Sequence, residues 1–147
     1  MKILLATDGS AHSKFMIKEL AGRAFAPNTK VRIISVYAKT SYMMKTMPMG
    51  ALSEYYAKMD KTSLKFAEHA IESAAAVMSK KNPRLSISAD AIEGSPKSVI
   101  LKEAEKFGAD LIVIGSHGHG VVAGFLLGSV SQSVALHAKC SVEIVRK

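Results

Sequence analysis

The chain has 147 residues, 48% hydrophobic and 22% charged, with a formal net charge of +8 and one cysteine. That length suits one domain with a sizeable core, expected to span 1–147, and the composition excludes a disordered tail. No apolar run is long enough for a membrane span, and a lone Cys140 excludes an internal disulfide framework, so a cytoplasmic setting is expected.

"KILLAT" (2–7) is a continuous apolar run ending at "DGS", the pattern of a strand covered on both faces. It is too short for a signal-peptide core. "SAHSKFMIKELAGRAFA" sets Phe15, Met16, Leu20 and Ala24 at helical spacing and closes at Pro27-Asn28. "KVRIISVYA" (30–38) is rich in β-branched residues and reads as a second strand. "KTSYMMKTMPMG" (39–50) is expected as a loop. Its methionines (Met43, Met44, Met47, Met49) are adaptable apolar filler before they are copper ligands. From about Leu52 to Ser79, a helix is expected to bury Leu64, Ala67, Ile71, Ala74 and Met78. "RLSISADAIEG" (84–94) alternates as a third strand. The next helix has Ser95 as N-cap, Pro96 at its first position and Gly108 just past its end. "DLIVIG" is the fourth strand, a helix follows over about Ser129 to Ala138, and "SVEIVR" (141–146) closes the chain as a fifth strand. Cys140, just before it, reads as a small buried residue.

Strands alternating with helices imply an α/β fold, a parallel sheet with helices on both faces joined by right-handed crossovers. Ligands of such sheets sit beyond the carboxyl ends of the strands, where strand order reverses. That rule selects "TDGS", "VYA" and the glycine-rich stretch after the fourth strand.

This last stretch, "GSHGHGVVAGFLLGSV" (115–130), holds five glycines and no acid. Gly115 and Gly118 flank Ser116-His117, and nine residues later Gly128-Ser129 opens a helix. Glycines let backbone amides approach a ligand, and a helix start adds donors and partial positive charge. The pattern fits an anion cradle, with a flexible surface loop as the plain alternative. There is no Walker lysine, and the lone G-x-G-x-x-A match at 118–123 lacks its downstream acid. G-x-S-x-G is absent as well.

G-x-x-G, nine residues, then G-[ST] after a fourth strand resembles the ATP-binding signature of the universal stress protein family. "ILLATDGS", "GADLIVIGSHGHG" and "LLGSVSQSVALHAKCSVEIVR" resemble the family as well, and the resemblance spans essentially the whole chain. Ser141 departs from it, standing where the family usually has proline. The resemblance implies an adenine nucleotide alpha hydrolase-like, Rossmann-like sheet of strand order 3-2-1-4-5, with ATP as ligand, accompanied by Mg2+ or Mn2+. It also implies a homodimer through the last strand. It places Ala6 and Asp8 near the adenine and ribose, Val36 at the adenine edge and Ile114 against the nucleoside. Gly115, Gly118, Gly128, Ser129 and Val130 would wrap ribose and phosphates. On its own, Asp8 before a glycine also reads as a cap for the first helix.

His117 and His119 are a poor metal pair without a third ligand, and face phosphate or solvent. His12, His69 and His137 read as helix-surface or partly packed residues. The twenty Lys and Arg are dense only at "KKNPR" (80–84), and tryptophan is absent, so a nucleic-acid surface has little support. The resulting expectation is a nucleotide-dependent stress-response module, possessing no catalytic residue for efficient phosphoryl transfer. Slow ATP hydrolysis or autophosphorylation on Ser129 or Ser131 is the enzymatic rival. A module binding a protein partner with an empty pocket is the third reading.

Overall fold

The computed structural model describes residues 1–39, 50–118 and 127–146. In chain order they form β1 (Lys2–Ala6), α1 (Ala11–Ala21), β2 (Lys30–Tyr37), α2 (Gly50–Lys81) and β3 (Ser86–Glu93). Then come α3 (Pro96–Phe107), β4 (Leu111–Gly115), α4 (Ser129–His137) and β5 (Ser141–Val145). The strands make one five-stranded sheet of order β3-β2-β1-β4-β5, every pair parallel.

Alternation along the strands divides the core. Ile3, Leu5, Val31, Ile33 and Val113 point to one face and pack with Met16, Ile17 and Leu20 of α1 and Ile71, Ala74 and Met78 of α2. Leu4, Ala6, Ile34, Ile112 and Ile114 point to the other and meet Ile100 and Ala104 of α3 and Val134 of α4. An unbroken apolar run such as Ile3-Leu4-Leu5 therefore suits a strand with helices on both sides. Each such side chain, fully buried, contributes about 1.5–3 kcal/mol.

Three expectations are corrected at element ends. The first helix stops at Ala21, not near Pro27: Gly22 caps it, its amide donating to Lys18 and Glu19 carbonyls at 3.1 and 3.2 Å. Ala24 is exposed beyond it, while Ile17 and Ala21 take the buried positions. Helix α2 is longer at both ends than the spacing suggests, although its buried face is the expected one from Ala67 to Met78, with Leu64 half-buried. Ser95 holds the N-cap position of α3 without making a side-chain capping bond, and only its carbonyl is engaged, by Val99 N at 2.9 Å. Gly108 ends that helix in the left-handed region, at φ 65°, as its sequence position implies. Of the methionine-rich stretch, residues 40–49 lie outside the described residues. Cys140 is half-buried, less covered than expected, and burial with the nearby Asp110 charge raises its thiol pKa.

Two ion-pair groups tie helices to strands. Arg32 of β2 donates from Nε and Nη2 to Glu103 Oε2 of α3, at 3.0 and 2.7 Å, and its Nη1 lies 2.9 Å from Asp90 Oδ2 of β3. Arg23, past the end of α1, makes a two-pronged pair with Glu143 of β5 at 2.8 and 2.5 Å. The hydrogen bond from Arg23 holds the Glu143 carboxyl below its ordinary range. A carboxyl depressed in the folded state adds stability that is present above the unfolded titration range and is lost as pH falls through the folded one. Both groups are partly exposed, so the effect is small, under about 1 kcal/mol. Glu143→Gln is expected to destabilise slightly at pH 7 and to match the parent protein at the acid end of a pH series of urea melts.

Candidate functional site

The carboxyl ends of β1 and β4 are neighbours, yet the chain leaves them toward opposite faces, β1 into α1 and β4 toward α4. This is the reversal point of the sheet, where a crevice opens. Ala6 and Ile114 are register partners there, both buried, and form its floor. Val36 lies on the adjacent strand, two residues past Ile34, the partner of Ala6, and is half-buried on the α3/α4 side.

The turn after β1 is shaped by its own polar groups. Asp8 Oδ1 accepts the Ser10 amide at 3.0 Å, and Gly9 takes a φ of 76°, a conformation that disfavours side chains. Ser10 then caps α1, its Oγ accepting Ser13 N at 3.2 Å. The reading of Asp8 as the cap of α1 is corrected: Ser10 is the cap, while Asp8 holds the turn before it and is exposed.

The loop after β4 closes onto that turn. A Cβ on Gly118 would lie 2.7 Å from Asp8 Oδ2, so the glycine backbone rests directly against the carboxylate. Gly115 is set less tightly: a Cβ there would make ordinary contacts with Ser13 N at 3.6 Å and the His12 carbonyl carbon at 3.7 Å, in the first turn of α1. His117 faces His12, with ring centroids 5.4 Å apart and planes tilted by 52°. Ser116 Oγ lies 3.0 Å from His117 Nδ1.

The start of α4 is pinned to the same loop through one atom. Ser116 O accepts Gly128 N at 2.9 Å and Ser131 Oγ at 3.1 Å. Gly128 is the N-cap and has no side chain to offer the first-turn amides of Ser129, Val130 and Ser131. Ser129 is exposed and Val130 half-buried at this helix start. Ser131 is buried and committed, also donating to Gly128 O at 2.8 Å.

All nine expected site residues therefore gather at one end of the sheet. His12 and Ser131 complete the arrangement; the sequence reading takes His12 as a helix-surface or partly packed residue and Ser131 only as a rival phosphoryl acceptor. His119 and the rest of 119–126 lie outside the described residues. Among the described residues, no group of three or more His, Cys, Asp or Glu side chains could hold a metal ion. Among them too, no helix is long and apolar enough to cross a membrane.

This architecture is that of a Rossmann-like parallel α/β protein with its crevice between β1 and β4. A family model described as the universal stress protein family matches residues 1–146. A Staphylococcus aureus (strain USA300) protein bearing the universal stress protein name is 32% identical over 145 residues, covering 98% of this chain and 82% of that one. The chain belongs to the universal stress protein family. Among solved structures, the hypothetical protein MJ0577 superposes with a TM-score of 0.84 at 23% identity, over 99% of this chain and 95% of that one. A universal stress protein in complex with cAMP superposes with a TM-score of 0.66 at 25% identity, over 99% and 96%.

Proposed function

We propose that this universal stress protein binds an adenine nucleotide, ATP foremost, and acts as a nucleotide-dependent regulatory module of a stress response. The observation that carries the reading is the fit of Gly118 against the Asp8 carboxylate, which leaves backbone, not side chain, along the crevice. In this reading Ala6, Val36 and Ile114 give an apolar seat for the purine, and Asp8 accepts from ribose or adenine. Gly115, Gly118, Gly128, Ser129 and Val130 surround ribose and phosphates, with the uncapped start of α4 offering amides to the anion. A universal stress protein of this fold in complex with cAMP supports an adenine nucleotide as the class of ligand. An accompanying Mg2+ or Mn2+ would be carried chiefly by the phosphates.

Isothermal titration with ATP, ADP, AMP, cAMP and adenosine tests the reading. Binding of ATP is the expected result, and absence of heat for every nucleotide overturns it. The enzymatic alternative, slow hydrolysis or autophosphorylation, narrows to Ser129 as acceptor because Ser131 is buried and hydrogen-bonded. Mass spectrometry after incubation with Mg-ATP separates it from simple binding.

The same proposal includes a homodimer in a cytoplasmic setting. Strand β5 is an edge of the sheet, and an edge leaves main-chain groups that a second copy can cover across a two-fold axis. Light scattering at micromolar concentration is expected to give twice the chain mass, and a monomer would remove this part.

A further inference from the structure

We propose that the projecting half of α2 is a docking surface for an acid-flanked amphipathic helix of a partner protein, seated along a seam of Tyr55, Met59, Thr62 and Phe66. This surface goes beyond the nucleotide reading and does not depend on it. Strands β2 and β3 are parallel neighbours, so α2 between them runs back against the strand direction. Ala70 marks the level of the turn after β1, since a Cβ on Gly9 would lie 3.3 Å from the Ala70 Cβ. From Phe66 back to Ser53 the helix therefore stands beyond the carboxyl end of the sheet, rising about 20 Å. No side chain from Ser53 to Phe66 is buried, and Tyr55, Met59 and Phe66 are 58%, 44% and 73% exposed. Scattered apolar residues are ordinary on a surface, whereas a row at one spacing marks a contact.

The row has the spacing of a two-helix seam. Steps of four, three and four residues separate its members and keep them on one face over about three turns. Thr62 is compatible with such a seam because its Oγ1 donates to Lys58 O at 2.8 Å, so its hydroxyl is satisfied within the helix. Tyr56 meets Tyr55 edge-on, with ring centroids 5.7 Å apart, and widens the outer end. The rest of the helix is held from behind, with Ala67, Ala70, Ile71, Ala74 and Met78 buried. The seam is thus presented on a preformed helix, and binding has only the partner to order.

Charge selects the occupant. Lys58 and Lys65, seven residues apart on one flank of the seam, are exposed and enter no ion pair among the described residues. The nearest acids, Glu54 and Glu68, lie a turn beyond them on the side away from the seam, and Asp60 shares the sheet-facing row of Leu64, Ala67 and Ile71. A second copy brings no acid to these lysines. Antiparallel, the lysine flanks oppose one another, and parallel they meet Tyr56 and Ser63. The chain's own residues 40–49, "TSYMMKTMPM", hold one lysine and no acid, so they complement the flank no better. A lipid surface suits a helix whose polar face is basic throughout, whereas Glu54, Asp60 and Glu68 interrupt this one. An amphipathic helix with Asp or Glu beside its apolar row matches both features. Its exposed ion pairs would set orientation and partner choice, while the apolar row supplies most of the hold.

The test uses the full chain and a fluorescein-labelled peptide of three heptads, with leucine along its seam and glutamate on both flanks. A lysine-flanked peptide with the same apolar row is its control. Fluorescence anisotropy is expected to show binding of the acidic peptide alone. Tyr55→Ser with Phe66→Ser, and separately Lys58→Glu with Lys65→Glu, should each weaken it about tenfold or more. Lys80→Glu with Lys81→Glu, at the other end of α2, changes the net charge equally and should bind as the parent does. All six residues are exposed, so melting temperatures should match throughout. No binding of the acidic peptide, or equal binding of both peptides, would overturn the proposal. Equal losses in the two lysine variants would reduce it to general charge attraction and overturn it as well. Loss of a dimer in light scattering on Tyr55→Ser with Phe66→Ser would give the seam to a second copy instead. Tenfold tighter peptide binding after Met43, Met44, Met47 and Met49 are changed to serine would give it to the chain's own segment. Binding to phosphatidylglycerol vesicles that needs Tyr55 and Phe66, without peptide binding, would give it to a membrane.

Discussion

Replacing Gly118 by alanine is expected to weaken ATP binding about as much as removing the Asp8 carboxylate does. A Cβ at 118 falls 2.7 Å from Asp8 Oδ2, a distance that real Cβ contacts do not tolerate. Asp8 is short, and its other oxygen is held by Ser10 N at 3.0 Å, so it yields only by rotating away from the crevice or by pushing the loop outward. Either movement removes the acceptor proposed for the nucleoside. A hydrogen bond involving a charged group is worth about 1.5–3 kcal/mol, which is roughly 10- to 150-fold in Kd. Asp8→Ala alone is expected to fall in that range, and Asp8→Asn to lose less because it keeps an acceptor. The stronger expectation concerns the pair. Gly118→Ala should cost little further in the Asp8→Ala background, where nothing remains to collide with. The two changes should therefore be strongly non-additive. Additive losses in titration calorimetry would show that the two positions act separately.

The layering of the fold is legible because its pattern is redundant. Ile3-Leu4-Leu5 and Ile112-Val113-Ile114 have no polar alternation, so both faces of their strands must be covered, and helices are what the chain places between them. Gly108 past α3 is equally plain, since a left-handed helix end selects glycine. The end of α1 is not. Gly22 is a weak signal inside a stretch whose apolar spacing continues to Ala24, and only the packing shows that the buried face is complete at Ala21.

The candidate site divides in the same way. Its glycines are legible from spacing, because the loop after a strand and the start of the next helix are adjacent in sequence. Pairings across the chain are not. Asp8 and Gly118 meet only because β1 and β4 are neighbours in the sheet, and His12 reaches His117 for the same reason. Read alone, His12 is one polar residue in the first turn of a helix. Ser131 is hidden differently. The G-[ST] motif draws attention to Ser129, whereas it is the serine two residues later that turns inward and bonds Ser116 O, fixing the helix start to the loop.

Truncating Met78 to alanine is expected to be among the most destabilising single changes in the protein while leaving the crevice chemically intact. Helix α2 has 32 residues, about 48 Å at 1.5 Å per residue, yet between Ser53 and Phe66 no side chain is buried. Its hold on the sheet comes from Ala67, Ala70, Ile71, Ala74 and Met78, and three of those five are alanines. Met78 is fully buried in the cluster with Val31, Ile33 and α1 residues, so its loss leaves a void that the surrounding close-packed side chains fill only partly. Large-to-alanine changes of this type cost about 2–5 kcal/mol, a large share of the roughly 5–15 kcal/mol that holds a domain folded. At roughly 2–4 °C per kcal/mol for a chain of this size, the melting temperature should drop by several degrees or more. Because α2 also abuts the turn at Gly9 through Ala70, loosening it should make folding depend visibly on ligand. A ligand at a hundred times its Kd adds about 2.7 kcal/mol to the folded state. Saturating ATP should then restore much of the lost melting temperature in Met78→Ala and far less when Gly118→Ala is combined with it. Equal ATP-induced shifts in the two proteins would mean that the stabilising ligand binds somewhere other than the Asp8–Gly118 crevice.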